Sequence, residues 1–274
     1  MADTKRALLV YAWDGRSPPL SLVSVDAEPA FDLLLFDYSG AATAPADMAM
    51  LSVRTQCKGE IYRAVHRWLA QAAEDYDYVG LLDDDIAASW SDVNRLLAIA
   101  RAHGLDCFAA GLGRDGYHSH ARFLQQAGGT VRAVPWIEVM MPFYRRDLFM
   151  AGGAYYAKVI SSWGLDQFVM ATLQKLTGHE RVAVVDAIAF HHRRPITSDS
   201  KTFANGLTAQ QERDLLRRQA MAQVAAQRPD LLGTRWYFAT FAPWDGPARY
   251  WLLRLSAPAL WLRRLFAPRP AVAG

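Results

Sequence analysis

Three consecutive carboxylates, Asp83-Asp84-Asp85, follow the apolar run Tyr78-Val79-Gly80-Leu81-Leu82. Unpaired carboxylates are too costly to bury inside a strand, so a cluster at a strand end is placed to meet water, a metal or a ligand. In open α/β sheets ligands bind at the carboxyl ends of the strands. On an extended backbone Asp83 and Asp85 point to one side, which lets both act on one divalent cation and the polar ligand it carries. The plainer alternative is a solvated turn leading into Ile86. Further along stand Glu138, a carboxylate inside the apolar run 136–141, then Trp163-Gly164-Leu165-Asp166, and then His191-His192. An Asp after a Gly turn at a helix start suits either a general base or an N-cap. Glu138 is expected either to pair with an arginine in the core or to face a substrate. His118 and His120 allow a second metal site or a mobile loop.

The elements that must hold these groups read as strand, helix, strand, helix. Strands are expected at 7–13 and 33–36, and a helix from Lys58 with Ile61, Val65, Trp68, Leu69 and Ala72 on its inner face. The Asp-bearing strand follows, then a helix over 91–103 capped by Gly104 and a strand at 107–110. This order argues for a largely parallel sheet flanked by helices. Strands are also expected at 130–134 and 136–141, a helical piece after Gly152-Gly153 ending near 162–166, a helix over 167–176, and a late strand from Val182 running into His192. A polar helix spans 210–227. A boundary is placed near residue 200, giving a catalytic domain over 1–200 and a helical, basic and aromatic extension over 201–274.

The 274 residues are 52% hydrophobic and 21% charged, with a net charge of +3. That is enough apolar material for a full core, and no Lys/Arg stripe interleaved with aromatics marks a nucleic-acid surface. The two cysteines, Cys57 and Cys107, form neither a disulfide framework nor a zinc spacing. The start of the chain lacks a secretory leader, and no run reaches the roughly 20 apolar residues of a membrane span. A cytoplasmic location is therefore expected. In the last thirty residues Arg249, Arg254, Arg263, Arg264 and Arg269 alternate with Trp251, Trp261 and leucines. Such a segment either lies in an anionic membrane interface or packs on the domain with its arginines outward.

The ordered set of a Lys-initiated helix, the Asp triplet, Trp163 to Asp166 and the late histidines resembles the glycosyltransferases of the A-type fold. It is similar, more closely, to an uncharacterised domain family with a Val-Glu-x-Met segment, here Glu138-Val139-Met140-Met141, and a late His-x-x-Pro, here His192-Arg193-Arg194-Pro195. The resemblance covers roughly residues 7 to 197. It implies an α/β, glycosyltransferase-A-like fold, a Rossmann-like mixed sheet flanked by helices with a helical C-terminal tail. It also implies a nucleotide-sugar donor of the UDP class, a hydroxyl acceptor such as an envelope or lipid-linked glycan, and Mn²⁺ or Mg²⁺. By the same resemblance Asp85 ligates the metal with His192 or His191, and Asp83 meets the donor ribose or a metal-bound water. Asp84 points away to support the strand end. Asp166 is the base of an inverting transfer, Lys58 and Arg54 meet the donor diphosphate or uracil, and Asp14 lies where the base is read. Glu138, Trp163 and His118 face the acceptor. Three rivals remain: a nucleotidyltransferase, although Trp13 to Pro19 is a poor phosphate loop; a non-catalytic membrane-peripheral protein; and a hydrolase, which would lack a Gly-x-Ser-x-Gly elbow.

Overall fold

Ala7–Trp13 (β1) is buried along its whole length, as an apolar strand covered on both faces must be. The computed structural model describes residues 6–195 and 201–241. In chain order the other strands are β2 (Val23–Ser24), β3 (Phe31–Asp37), β4 (Ala49–Ser52), β5 (Tyr78–Leu82), β6 (Ile86–Ser89), β7 (Cys107–Leu112), β8 (Arg132–Ala133), β9 (Phe143–Arg145) and β10 (Val182–His192). The helices are α1 (Lys58–Leu69), α2 (Trp90–His103), α3 (Arg146–Ala151), α4 (Gly153–Tyr156), α5 (Ala171–Thr177), α6 (Ala209–Gln227) and α7 (Arg235–Phe241), with a π-helical turn at Leu165–Met170.

The sheet runs β2-β6-β10-β7-β9-β5-β1-β3-β4, with β8 beside β10. Strands β4, β3, β1 and β5 are mutually parallel, as are β7 and β10. β9 is inserted antiparallel between β5 and β7, so all six parallel strands end at the same edge. That edge carries Asp14, Asp37, the loop before α1 and the Asp triplet. Two fully buried aromatics of the reversed strand, Phe143 and Tyr144, anchor it. Phe143 stacks on Phe108 at 5.3 Å, and the Tyr144 hydroxyl meets that of Tyr62 at 3.2 Å. α2 begins with the Ser89 hydroxyl accepting the Asp92 N–H and ends at Gly104 in the left-handed region.

Several expectations need correcting. Trp136–Met141 is no strand. It lies between Pro135 and Pro142, which interrupt backbone pairing, and it turns so that the Met140 carbonyl accepts the Asp83 N–H at 3.0 Å. The 130–134 strand shrinks to the two residues of β8. α1 stops at Leu69, leaving Ala72 outside it. Of the helical piece expected after Gly152-Gly153, only the short α4 forms, and α3 lies before the glycine pair.

Cα packing divides the chain into Met1–Arg217 and Arg218–Gly274. The first unit contains the sheet, its helices and the start of α6. Within the second, Trp236 and Tyr237 pack their rings on Phe241. Among the described residues no helix is long and apolar enough to cross a membrane. The basic, tryptophan-bearing segment from Arg249 onward lies outside the described residues.

Candidate active site

The Asp triplet is a tight turn, not an extended stretch. The Ile86 N–H returns to the Asp83 carbonyl at 3.1 Å, because the chain must leave β5 and cross to the end of β10. There β6 pairs antiparallel with β10, His192 opposite Ile86, and the Arg193 N–H donates to the Asp85 carbonyl at 2.8 Å. The turn therefore does not aim Asp83 and Asp85 at one common point. Asp83 meets the Lys58 ammonium at 2.5 Å, whereas Asp85 lies 3.3 Å from His192 Nε2 and 3.8 Å from Arg194 Nε. Asp84 accepts from the Tyr38 hydroxyl and from Arg194, both at 2.8 Å.

The register also separates the two histidines. His192 is 6% exposed, and its Nδ1 lies 3.1 Å from the Tyr117 carbonyl. A carbonyl only accepts, so Nδ1 donates to it; the Asp85 carboxylate also only accepts, so Nε2 carries a proton toward Asp85, which a bound cation would displace. His191 points the other way, to Asp115 at 2.5 Å. Asp85 Oδ1 is buried without a hydrogen-bond partner. One orphaned carboxylate oxygen and one oriented imidazole nitrogen fit the protein share of a Mn²⁺ or Mg²⁺ site. Such sites take one or two protein ligands and fill the remainder with substrate phosphates and water. Among the described residues no group of three or more His, Cys, Asp or Glu forms a metal cage, so phosphate oxygens would have to complete the shell.

Electrostatics sorts the carboxylates. Burial raises Asp83 to about 6 against the opposing Lys58 charge, and its neighbours Asp85 and Asp84 add to the rise. About a quarter of its side chain still reaches solvent. Burial also works to raise Asp85, but the His192 hydrogen bond and the charges of His192, Arg194 and Lys58 hold it below the usual carboxylate value. Asp166 is 9% exposed and sits in the π-helical turn after Gly164, whose φ of +86° favours glycine. Burial raises it to about 7. The N–H groups of Gln167 and Val139 oppose that rise, and the Glu138 charge adds to it. Glu138 is also raised by burial and accepts from Ser119. Its Oε2 has no hydrogen-bond partner, and it lines a small apolar cavity with Phe123, Ile137, Met140 and Met141. Neither expected state is what the structure shows: no arginine pairs with it among the described residues, and it is buried at 9% exposure.

The other expected residues are spread along the same edge. Asp14 is spent on its own turn, accepting from the Arg16 and Ser17 N–H groups and the Ser17 hydroxyl. Arg54 is exposed, with its backbone against Gly40. Trp163 is 37% exposed. His118 is exposed, whereas His120 packs on Trp136 and Phe123 and is lowered to about 4 by burial. Neither belongs to a group of three or more His, Cys, Asp or Glu among the described residues. Tyr38 and Arg194 were not anticipated. Arg194 lies within the quoted His-Arg-Arg-Pro, but only the β6–β10 crossing brings it onto Asp84.

No family model matches the chain, and no curated protein does. Among solved structures it is similar to residues 1–349 of S. aureus TarS in complex with UDP-GlcNAc. The TM-score is 0.54 and the identity 13%, over 82% of this chain and 67% of that one. A second structure of TarS 1–349 gives 0.52 and 12%, over 82% and 66%. This chain thus spans about two thirds of the length of those it matches. The fold is glycosyltransferase-A-like. At this identity the likeness concerns architecture, and activity has to be argued from the site.

Proposed function

We propose that this chain is a metal-dependent glycosyltransferase that moves a sugar from a nucleotide-sugar donor of the UDP class to a hydroxyl acceptor, with inversion. The observation that carries the reading is the β6–β10 crossing. On a glycosyltransferase-A-like sheet it sets Asp85, with an unpartnered oxygen, against an oriented His192 at the edge where ligands bind. A similar fold held with UDP-GlcNAc supports the donor class.

Asp85 and His192 would hold Mn²⁺ or Mg²⁺, which supplies Lewis-acid neutralisation of the charge on the departing diphosphate. Lys58 and Arg194 bring two further cations to the same edge, and Asp83 is left for the ribose hydroxyls or a bound water. Asp166 is the general base. Its carboxylate takes the proton of the acceptor hydroxyl as that oxygen bonds to the anomeric carbon. The bond from that carbon to the diphosphate oxygen breaks, and its electron pair leaves with UDP. A base near 7 suits this step, because it is ionised often enough to act and basic enough to pull. Glu138 and Trp163 lie on the acceptor side, where a glycan hydroxyl would enter.

The test is release of UDP from UDP-GlcNAc and other UDP-sugars, with water or added glycans as acceptor, by wild type and Asp166→Asn. Turnover by wild type that falls about 10²-fold or more in the variant, with UDP affinity kept, is expected. Equal turnover by both would remove Asp166 from the mechanism.

A further inference from the structure

Glu212 lies in the first turn of α6, beyond the boundary that the sequence places near residue 200, yet it is 0% exposed. Its two carboxylate oxygens accept the consecutive backbone N–H groups of Ile160 at 2.9 Å and Ser161 at 2.7 Å, and the Asn205 amide adds a third bond at 2.5 Å. Consecutive N–H groups form a small anion cradle, here filled by a side chain of the same chain.

The other side of the same two residues is held equally closely. A Cβ on Gly59 would sit 2.0 Å from the Ser161 carbonyl oxygen and 2.7 Å from that of Ile160, so only glycine allows α1 to start there. Ile160 also packs with Phe203 and Ala209, with Cys57 against them. The Ile160–Ser161 segment is thus gripped by Glu212 through its N–H groups and by the start of α1 through its carbonyls. Lys58, the partner of Asp83, directly precedes Gly59, and Asp166 follows Ser161 after a single turn through Ser162, Trp163, Gly164 and Leu165.

We infer that Glu212 is a positioning residue that fixes Asp166 relative to Lys58 and Asp83 by clamping the Ile160–Ser161 backbone. The inference rests on the transferase reading and extends it, because it makes the start of α6 part of the catalytic apparatus without contact to substrate. A displaced base loses turnover while the donor, held at the Asp83–Lys58 and Asp85–His192 pairs, still binds.

The test uses the full chain and the variants Glu212→Gln and Glu212→Asp, with three readouts: hydrogen exchange over residues 158–168, calorimetric affinity for UDP with Mn²⁺, and the rate of UDP release. Glu212→Gln turns an amide N–H₂ toward a backbone donor. Exchange should quicken about tenfold or more, and turnover should fall on the order of 10²-fold, while UDP affinity holds within about threefold. Glu212→Asp keeps both carboxylate oxygens and should recover part of the rate. If Glu212→Gln does not fold, Asn205→Ala, which spares both N–H bonds, should show the same pattern more weakly. Unchanged exchange in the variant that folds overturns the clamp. Quickened exchange with unchanged turnover, or turnover and affinity falling together, overturns the positioning role. A wild type that binds no UDP and releases none sinks the transferase reading and the positioning role with it, while exchange still reports on the clamp alone.

Discussion

Keeping a carboxylate buried at Asp166 has a thermodynamic consequence that needs no substrate to measure. The group titrates at 3.8 in an unfolded chain and at about 7 in the fold, raised first by burial and further by Glu138. The native state therefore holds more protons than the unfolded state between those values, and stability must fall as pH rises through that window. At about 1.4 kcal/mol per pH unit the full window is worth roughly 4 kcal/mol, and its part between about pH 5 and 8 roughly 2–3 kcal/mol. Asp166→Asn does not titrate. It loses one acceptor for the Val139 and Gln167 N–H groups at every pH, so the informative quantity is how its stability relative to wild type changes with pH. Urea unfolding of both proteins at pH 5 and pH 8 should show the variant gaining roughly 2–3 kcal/mol on wild type between the two. Part of that gain comes through the Glu138 charge, which adds to the rise of Asp166. A difference that stays constant with pH would mean that Asp166 is not held near neutrality, and the argument for it as a base poised at 7 would fail.

Removing the charge beside the base should move its titration down. In Glu138→Gln the acid limb of the pH–rate profile for UDP release is expected about half a unit or more lower; a limb that stays or rises would show that Glu138 does not act on Asp166. Asp37 is fully buried, with its oxygens taking the Ser39 and Ala42 N–H groups and the Ser39 and Ser52 hydroxyls. Burial works to raise it, but those bonds hold it at about 2. Its stabilisation is present above 3.8 and lost as pH falls toward 2, so Asp37→Asn should cost about 2 kcal/mol at neutral pH and progressively less in acid, read by denaturant melts. Gly59→Ala should cost about 2–3 kcal/mol, since its Cβ meets backbone oxygens that have little room to yield; a melting temperature equal to wild type would show that the approach of α1 to Ser161 is looser than described.

The sequence was most legible where periodicity and strand-end chemistry coincide. β1, α2 and the long β10 follow from apolar runs and a glycine cap, and the parallel order follows from their alternation. β9 was not legible, because three residues carry no period. What identifies it is the pairing of Phe143 and Tyr144 between β5 and β7, a non-local fact. The Asp triplet was readable as a ligand-edge feature, but its backbone shape was not. Asp83 and Asp85 diverge because the chain must cross to β10, and nothing local in three aspartates says so. The same crossing separates His192 from His191 and brings Arg194 to Asp84, which the local sequence left open. Glu212 was the least visible of all. A glutamate in a polar helix reads as solvated until its partners, some fifty residues away in sequence, are known.

The central claim is that Asp85 and His192 form the protein half of a cation site completed by a nucleoside diphosphate. Calorimetric titration of UDP, GDP, dTDP and CDP, with and without Mn²⁺, into wild type and Asp85→Ala tests it most directly. UDP is expected to bind wild type in the presence of Mn²⁺, to bind at least tenfold more weakly without it, and to show no Mn²⁺ dependence in Asp85→Ala. Folded wild type that binds none of the four nucleotides, or Asp85→Ala that keeps the full Mn²⁺-dependent affinity, would contradict it.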